Sequence, residues 1–263
     1  LILEALKISN DIPLLLLRAQ ILVANGNYDR ARNLLSIVEP RRPDDPVVMH
    51  LKSAILAHEG RVEEALSEIQ RARSLYPEND EIRDAYGRLL IRSGNVERGR
   101  EILETALDES PTNVTNLEVL LEGAVESERW EDAAGYLERL LEIEEKREYL
   151  DQAIDVQNRL GNIEQATEYA RRRYLLDTED LEALKGYAKL LIEAGRTEEA
   201  DTLLKEGIAQ TSDGSYESDF YYLRSLLTGD PEAKKRLLGD SLFANRQNFE
   251  ALVAYSRILE EAG

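Results

Sequence analysis

Glycine recurs along this chain at a nearly fixed interval. It stands at 26, 60, 94, 161, 195, 229 and 263, and Glu128 occupies the slot between 94 and 161. The steps are 34, 34, 34, 33, 34, 34 and 34 residues. A short phrase travels with the glycine: Gly26-Asn27-Tyr28-Asp29-Arg30-Ala31 returns as Gly60-Arg61-Val62-Glu63-Glu64-Ala65, as Gly161-Asn162-Ile163-Glu164-Gln165-Ala166 and as Gly195-Arg196-Thr197-Glu198-Glu199-Ala200. In Gly94-Asn95-Val96-Glu97-Arg98-Gly99, glycine replaces the alanine. A unit of this length cannot bury an apolar face alone and does so only by stacking on its neighbours. The period therefore predicts an all-α solenoid of helix pairs.

The phrase has a physical reading. Glycine takes a left-handed backbone at a helix C-terminus at little cost, so the turn there is tight. The alanine or glycine five places on lets the second helix lie close to the first. A larger side chain there overpacks the pair, at about 1–3 kcal/mol. The first full repeat covers 12–45, with helices near 13–25 and 28–39. The next five cover 46–79, 80–113, 114–146, 147–180 and 181–214, so 12–214 holds six regular repeats. Residues 1–11 read as the tail of a preceding repeat. Residues 215–248 read as an irregular repeat: the polar run Gln210 to Ser215 opens it, its first helix is expected to be short, and an irregularity is expected at 210–219. Residues 249–263 read as the first helix of a truncated repeat or cap. Their apolar Phe249, Leu252, Tyr255 and Leu259 suit a fragment of a longer array better than a polar cap.

Charge narrows the function. Asp and Glu number 52 against 33 Lys and Arg, a formal charge of −19. So acidic a surface repels phosphate backbones and anionic lipid, which argues against nucleic acid as a partner. No run of apolar residues is long enough for membrane insertion; the richest, Ile12 to Ala24, is broken by Arg18 and Gln20. Cysteine is absent, so disulfides and thiolate metal sites are excluded and the compartment stays open between cytoplasm and periplasm.

Nothing here predicts catalysis. A nucleophile triad needs a histidine beside serine or cysteine, and the only histidines are His50 and His58. His58-Glu59-Gly60-Arg61-Val62 starts like a zincin helix but lacks the second histidine. No catalytic residue, metal or cofactor is expected. The basic clusters Arg171-Arg172-Arg173, Arg41-Arg42 and Lys234-Lys235-Arg236 read as local salt-bridge faces.

The repeat pattern resembles that of the tetratricopeptide repeat (TPR) family. The third repeat supplies Tyr86-Gly87, Leu90, Gly99, Leu103, Ala106 and Pro111, and the sixth supplies Leu184, Tyr187-Ala188, Leu191, Ala200 and Leu204. The family tryptophan at the fourth place is replaced throughout, by residues such as Leu15, Met49, Leu117 and Leu184. The resemblance implies antiparallel helix pairs in a right-handed superhelix of about seven repeats, with partial units at both ends and a concave groove.

The resemblance also implies which places of each first helix line that groove. They hold Leu16, Gln20, His50 and His58 as a nearly neutral strip. Asp84, Arg88, Arg92, Glu118, Glu122, Asp151 and Asp155 belong to a mainly acidic strip, and Lys185 and Lys189 follow. The expected partner is a protein or peptide, extended, with an apolar end and a basic segment. Family members that hold chaperone tails use a Lys-Asn-Asn-Lys-Arg clamp. The matching places here hold Leu16, Gln20, His50, Ala54, Asp84 and Arg88, so that clamp does not assemble. The function expected is a non-catalytic protein–protein interaction scaffold, of the kind bacterial assembly and secretion complexes use. The alternatives are a structural array that associates end to end with its groove empty, and an accessory domain of a larger enzyme or transport machine.

Overall fold

The computed structural model describes residues 11–262, and every regular element among them is an α-helix. In chain order they are α1 (Ile12–Ala24), α2 (Tyr28–Val38), α3 (Pro46–His58), α4 (Val62–Leu75), α5 (Asp80–Arg92), α6 (Val96–Glu109), α7 (Val114–Glu126), α8 (Trp130–Ile143), α9 (Arg147–Arg159), α10 (Ile163–Leu176), α11 (Leu181–Glu193), α12 (Thr197–Gln210), α13 (Gly214–Leu226), α14 (Pro231–Ala244) and α15 (Phe249–Ala262). The helical tail expected at the start of the chain lies outside the described residues, apart from Asp11, the N-cap of α1. No helix among the described residues is long and apolar enough to cross a membrane.

The turn chemistry follows the phrase. Gly26, Gly60, Gly94, Gly161 and Gly195 have φ between 71° and 87°, and Glu128 takes the same left-handed conformation at 54°. After each, the next N–H reaches back five positions to a helix carbonyl. Asn27 donates to Leu22, Arg61 to Leu56, Asn95 to Leu90, Arg129 to Ala124, Asn162 to Gln157 and Arg196 to Leu191, at 2.7–3.0 Å. This is the Schellman closure, which satisfies carbonyls the helix end leaves open. The opposite end is fixed by Asp and Asn caps. Asp45, Asn79, Asn113, Asp180, Asp213 and Asp230 each accept an N–H of the first turn.

The small residue five places past each turn is fully enclosed: Ala31, Ala65, Ala133, Ala166 and Ala200 are 0% exposed. At Gly99 the approach is closest. A Cβ there would stand 2.7 Å from the Gly87 carbonyl oxygen and 2.9 Å from the Ile91 nitrogen.

The described residues fall into two compact units that divide between Arg129 and Trp130. In the first, α1, α3, α5 and α7 touch in succession, while α2, α4 and α6 each pack on the first helices beside them. Its core gathers Leu15, Leu16, Ala31 and Leu35 at one end and Met49, Ile69, Ile82 and Leu90 further on. The second unit packs α10 to α13 around Leu184, Leu191, Leu204 and Phe220. There α13 spans 13 residues, the same as α9 and α11, so the short helix expected in the seventh repeat is full length. The Asp213 cap explains it, since its carboxylate takes the Ser215 N–H at 2.8 Å and starts the helix directly after a three-residue link. The turn after α13 does depart from the rest. Gly229 keeps negative φ, and Asp230 with Pro231 restarts the chain as α14.

Candidate binding surface

The fifth, ninth and thirteenth places of the first helices carry the side chains singled out by sequence. In the first unit four of them converge. His50, Ala54 and His58 of α3 meet Ala85, Arg88, Leu89 and Arg92 of α5 and Tyr28 of α2 around a cavity of about 360 Å³. The spacing explains the convergence. Places five and thirteen of α3 lie opposite places nine and thirteen of the helix one repeat on, because α3 and α5 touch. Tyr28, two residues past the first turn glycine, closes one side by stacking on His58 with ring centroids 3.8 Å apart.

The pocket is electropositive on an acidic chain. Arg88 gives one N–H to the Asn116 side-chain oxygen at 2.7 Å, a neutral acceptor. Neither Arg88 nor Arg92 is in an ion pair among the described residues, whereas most other arginines of the chain are. Burial holds the Arg88 guanidinium below its ordinary range, and Arg92 adds to the effect against Asp84 and Glu81. Burial likewise pushes the His50 imidazole down, with Arg88 acting the same way and Glu81 opposing. Glu81 stands 3.9 Å from His50 but is 70% exposed.

Two of the expected wall residues face inward. Leu16 is buried in the core with Leu15 and Ala19. Asp84 is also buried, and its carboxylate accepts from Asn116 at 2.8 Å, from Asn113 at 3.3 Å and from Arg83 at 3.2 Å. Gln20 is half-buried on α1, and Glu118 and Glu122 are exposed on α7.

In the second unit the acidic places are largely neutralised. Asp151 pairs with Arg173 at 3.1 Å and Arg147 at 3.8 Å. Asp155 pairs with Arg159 at 2.9 Å, and Arg159 lies over the Trp130 ring. Lys185 is held by Glu182 at 2.7 Å and Asp219 at 3.5 Å; burial works against its charge, but the two carboxylates raise its pKa. Lys189 is exposed. Each arginine of 171–173 has an acidic partner, in Glu168, Glu145 and the pair Asp151 and Asp180. Sequence reasoning missed Tyr28, Asn113 and Asn116. The cap position of Asn113, just before an apolar helix, was the available signal for one of them.

Helix hairpins repeated at this period, with left-handed closures and small residues at the crossing, define a helical-repeat scaffold. Models described as tetratricopeptide repeat match residues 16–80 and 56–121, so residues 16–121 carry tetratricopeptide repeats. No curated protein matches the sequence. The structure of Naa15/Naa10 bound to HypK-THB is similar over 95% of this chain and 39% of that one, at 16% identity and a TM-score of 0.67. The C-terminal part of a TPR repeat-containing protein from Cytophaga hutchinsonii is similar over 91% of this chain and 98% of that one, at 13% identity and a TM-score of 0.64. YrrB, described as a TPR protein with an unusual peptide-binding site, is similar over 72% of this chain and 97% of its own, at 19% identity and a TM-score of 0.50. The chain thus spans about two fifths of the first of these and nearly all of the other two. The fold is that of a protein–protein interaction scaffold.

Proposed function

We propose that the chain is a non-catalytic scaffold whose first-helix face holds a protein or peptide segment. The observation that carries this reading is the meeting of His50, His58, Arg88, Arg92 and Tyr28 around one cavity. These side chains come from three helices, and neither Arg88 nor Arg92 is in an ion pair among the described residues. Further along the same unit, the exposed Glu118 and Glu122 offer opposite charge to a basic segment of the ligand. In the second unit Gly186, Tyr187 and the Asp151–Arg173 pair surround a smaller cavity of about 210 Å³, with Asp155 and Lys189 exposed on the same helices. Capture from lysate by the wild-type chain and by a Glu118→Lys, Glu122→Lys variant tests the reading. Loss of the captured segment in the variant supports it, and equal capture removes the acidic strip from the account.

The exposed apolar side chains near α15 favour a second reading, end-to-end association. Phe249 is 71% exposed, and Leu252 and Leu259 are about half exposed. Light scattering across concentrations separates the two, because association through this face makes the mass rise with concentration while groove binding does not.

A further inference from the structure

The pocket between α3 and α5 has a property the scaffold reading does not require. It gathers two guanidinium groups that form no ion pair among the described residues. The chain has an excess of acids, yet Arg88 and Arg92 carry no carboxylate partner among the described residues. Of the nearby acids, Asp84 is taken up by Asn113, Asn116 and Arg83, and Glu81, 3.9 Å from His50, is 70% exposed. The half-buried Arg88 guanidinium has lost part of its water without gaining an anion, and a charge-assisted bond to an incoming carboxylate relieves that cost, with the exposed Arg92 beside it. Ser53, Ala54, Ala57, Ala85 and Leu89 complete the lining, and the four apolar ones suit the short aliphatic stem of an acidic side chain.

We infer that this pocket is an anchor for a glutamate or aspartate side chain of the bound peptide, with Arg88 and Arg92 receiving the carboxylate and His50, His58 and Tyr28 framing it. The inference rests on the scaffold reading and gives it polarity. An acidic anchor residue sits at the α3–α5 pocket, and the basic stretch of the same ligand runs toward Glu118 and Glu122. His50 and Arg88 of this anchor stand at places that match the family's chain-end clamp, whereas Arg92, His58 and Tyr28 lie outside them, and the group received is a side-chain carboxylate.

The chain contains only two histidines, and both line this pocket. Their imidazole C–H proton resonances therefore report on the site without any labelling of the full chain. Three small probes separate the chemistry. N-acetylglutamate α-amide carries only the side-chain carboxylate, N-acetylglutamine only the terminal one, and N-acetylglutamine amide carries neither. Saturable shifts of both histidine resonances with the first probe, and none with the neutral one, are expected. Arg92→Gln, at an exposed position with no ion pair, is expected to weaken that titration about tenfold, the equivalent of one charge-assisted hydrogen bond. Equal effects of the acidic and neutral probes would overturn the inference. So would a response to N-acetylglutamine or inorganic phosphate alone, or an Arg92→Gln variant that titrates like the wild type. A chain that fails here yet loses its captured segment through Glu118→Lys and Glu122→Lys loses the anchor and keeps the scaffold.

Discussion

The Asn113 side-chain amide donates to the Asp84 carboxylate at 3.3 Å, across 29 positions of sequence. The same asparagine caps α7, its oxygen accepting the Asn116 N–H at 3.2 Å. One residue thus starts a helix and ties it to the first helix of the preceding repeat. Asn248 repeats the arrangement over the same 29 positions, donating to Asp219 at 3.1 Å while accepting from the Ala251 N–H. The fifth place of a first helix is therefore a joint between repeats as much as a place on the ligand wall.

Removing that joint is expected to cost stability. Asn113→Ala loses the cap and leaves the buried Asp84 short of a donor, a destabilisation of about 1–2 kcal/mol. Asn113→Asp keeps the cap and sets two carboxylates together. Urea unfolding is expected to place both variants below wild type, and an Asn113→Asp variant as stable as wild type would contradict the joint.

Glu128 is the one non-glycine residue with a left-handed backbone among the described residues. Its Cβ carries a steric cost that glycine lacks. Glu128→Gly is expected to raise stability by about 0.5–1 kcal/mol, read as a higher thermal midpoint. A lower midpoint would show that the Glu128 side chain contributes more than its backbone costs.

Glycine to alanine is expected to have opposite signs at two helix positions. At Gly99 the new methyl meets the Gly87 carbonyl and the Ile91 backbone, and overpacking costs about 1–3 kcal/mol. At Gly135 in α8 nothing lies within 4 Å of the added carbon. There alanine's better helix propensity is expected to add up to about 1 kcal/mol. Chemical denaturation of the two variants decides it.

Asp180 ties α11 to two arginines, Arg173 at 2.6 Å and Arg147 at 3.0 Å. Burial disfavours its charge, but Arg173, the Ala183 N–H and Arg147 outweigh that and hold its pKa below the ordinary 3.8. A depressed carboxylate pKa gives stability that is complete above the unfolded-state value and fades as pH falls through the folded-state one. Wild type is therefore expected to lose stability relative to Asp180→Asn as the pH drops below about 4. Parallel stability curves for the two proteins in that range would remove the pairing from the account.

Much of the fold was legible because the turn demands so specific a backbone. The 34-residue spacing located Gly26, Gly60, Gly94, Gly161 and Gly195, and it marked Glu128 as their equivalent before any φ was known. The candidate binding surface was less legible. Reading places along one helix put Asp84 on the wall, although Asn113 and Asn116 from the next repeat bury it. The same reading gave a neutral strip around His50 and an acidic one around Arg88. Packing of α3 on α5 instead brings His50, His58, Arg88 and Arg92 into one cationic pocket. Charge along a strip is a property of one helix, and a pocket belongs to two. The full-length α13 escaped for a related reason, since a single cap, Asp213, sets where it begins.

The most direct test of the scaffold reading is site-directed photocrosslinking to peptides enriched from a random library on the full chain. The crosslinker p-benzoylphenylalanine replaces Ala54 in the pocket, Glu122 on α7, or Gln70 on the exposed side of α4. Crosslinks from the first two positions and none from the third are the predicted result. Peptide captured from the Gln70 position alone, or equally from all three, would contradict it.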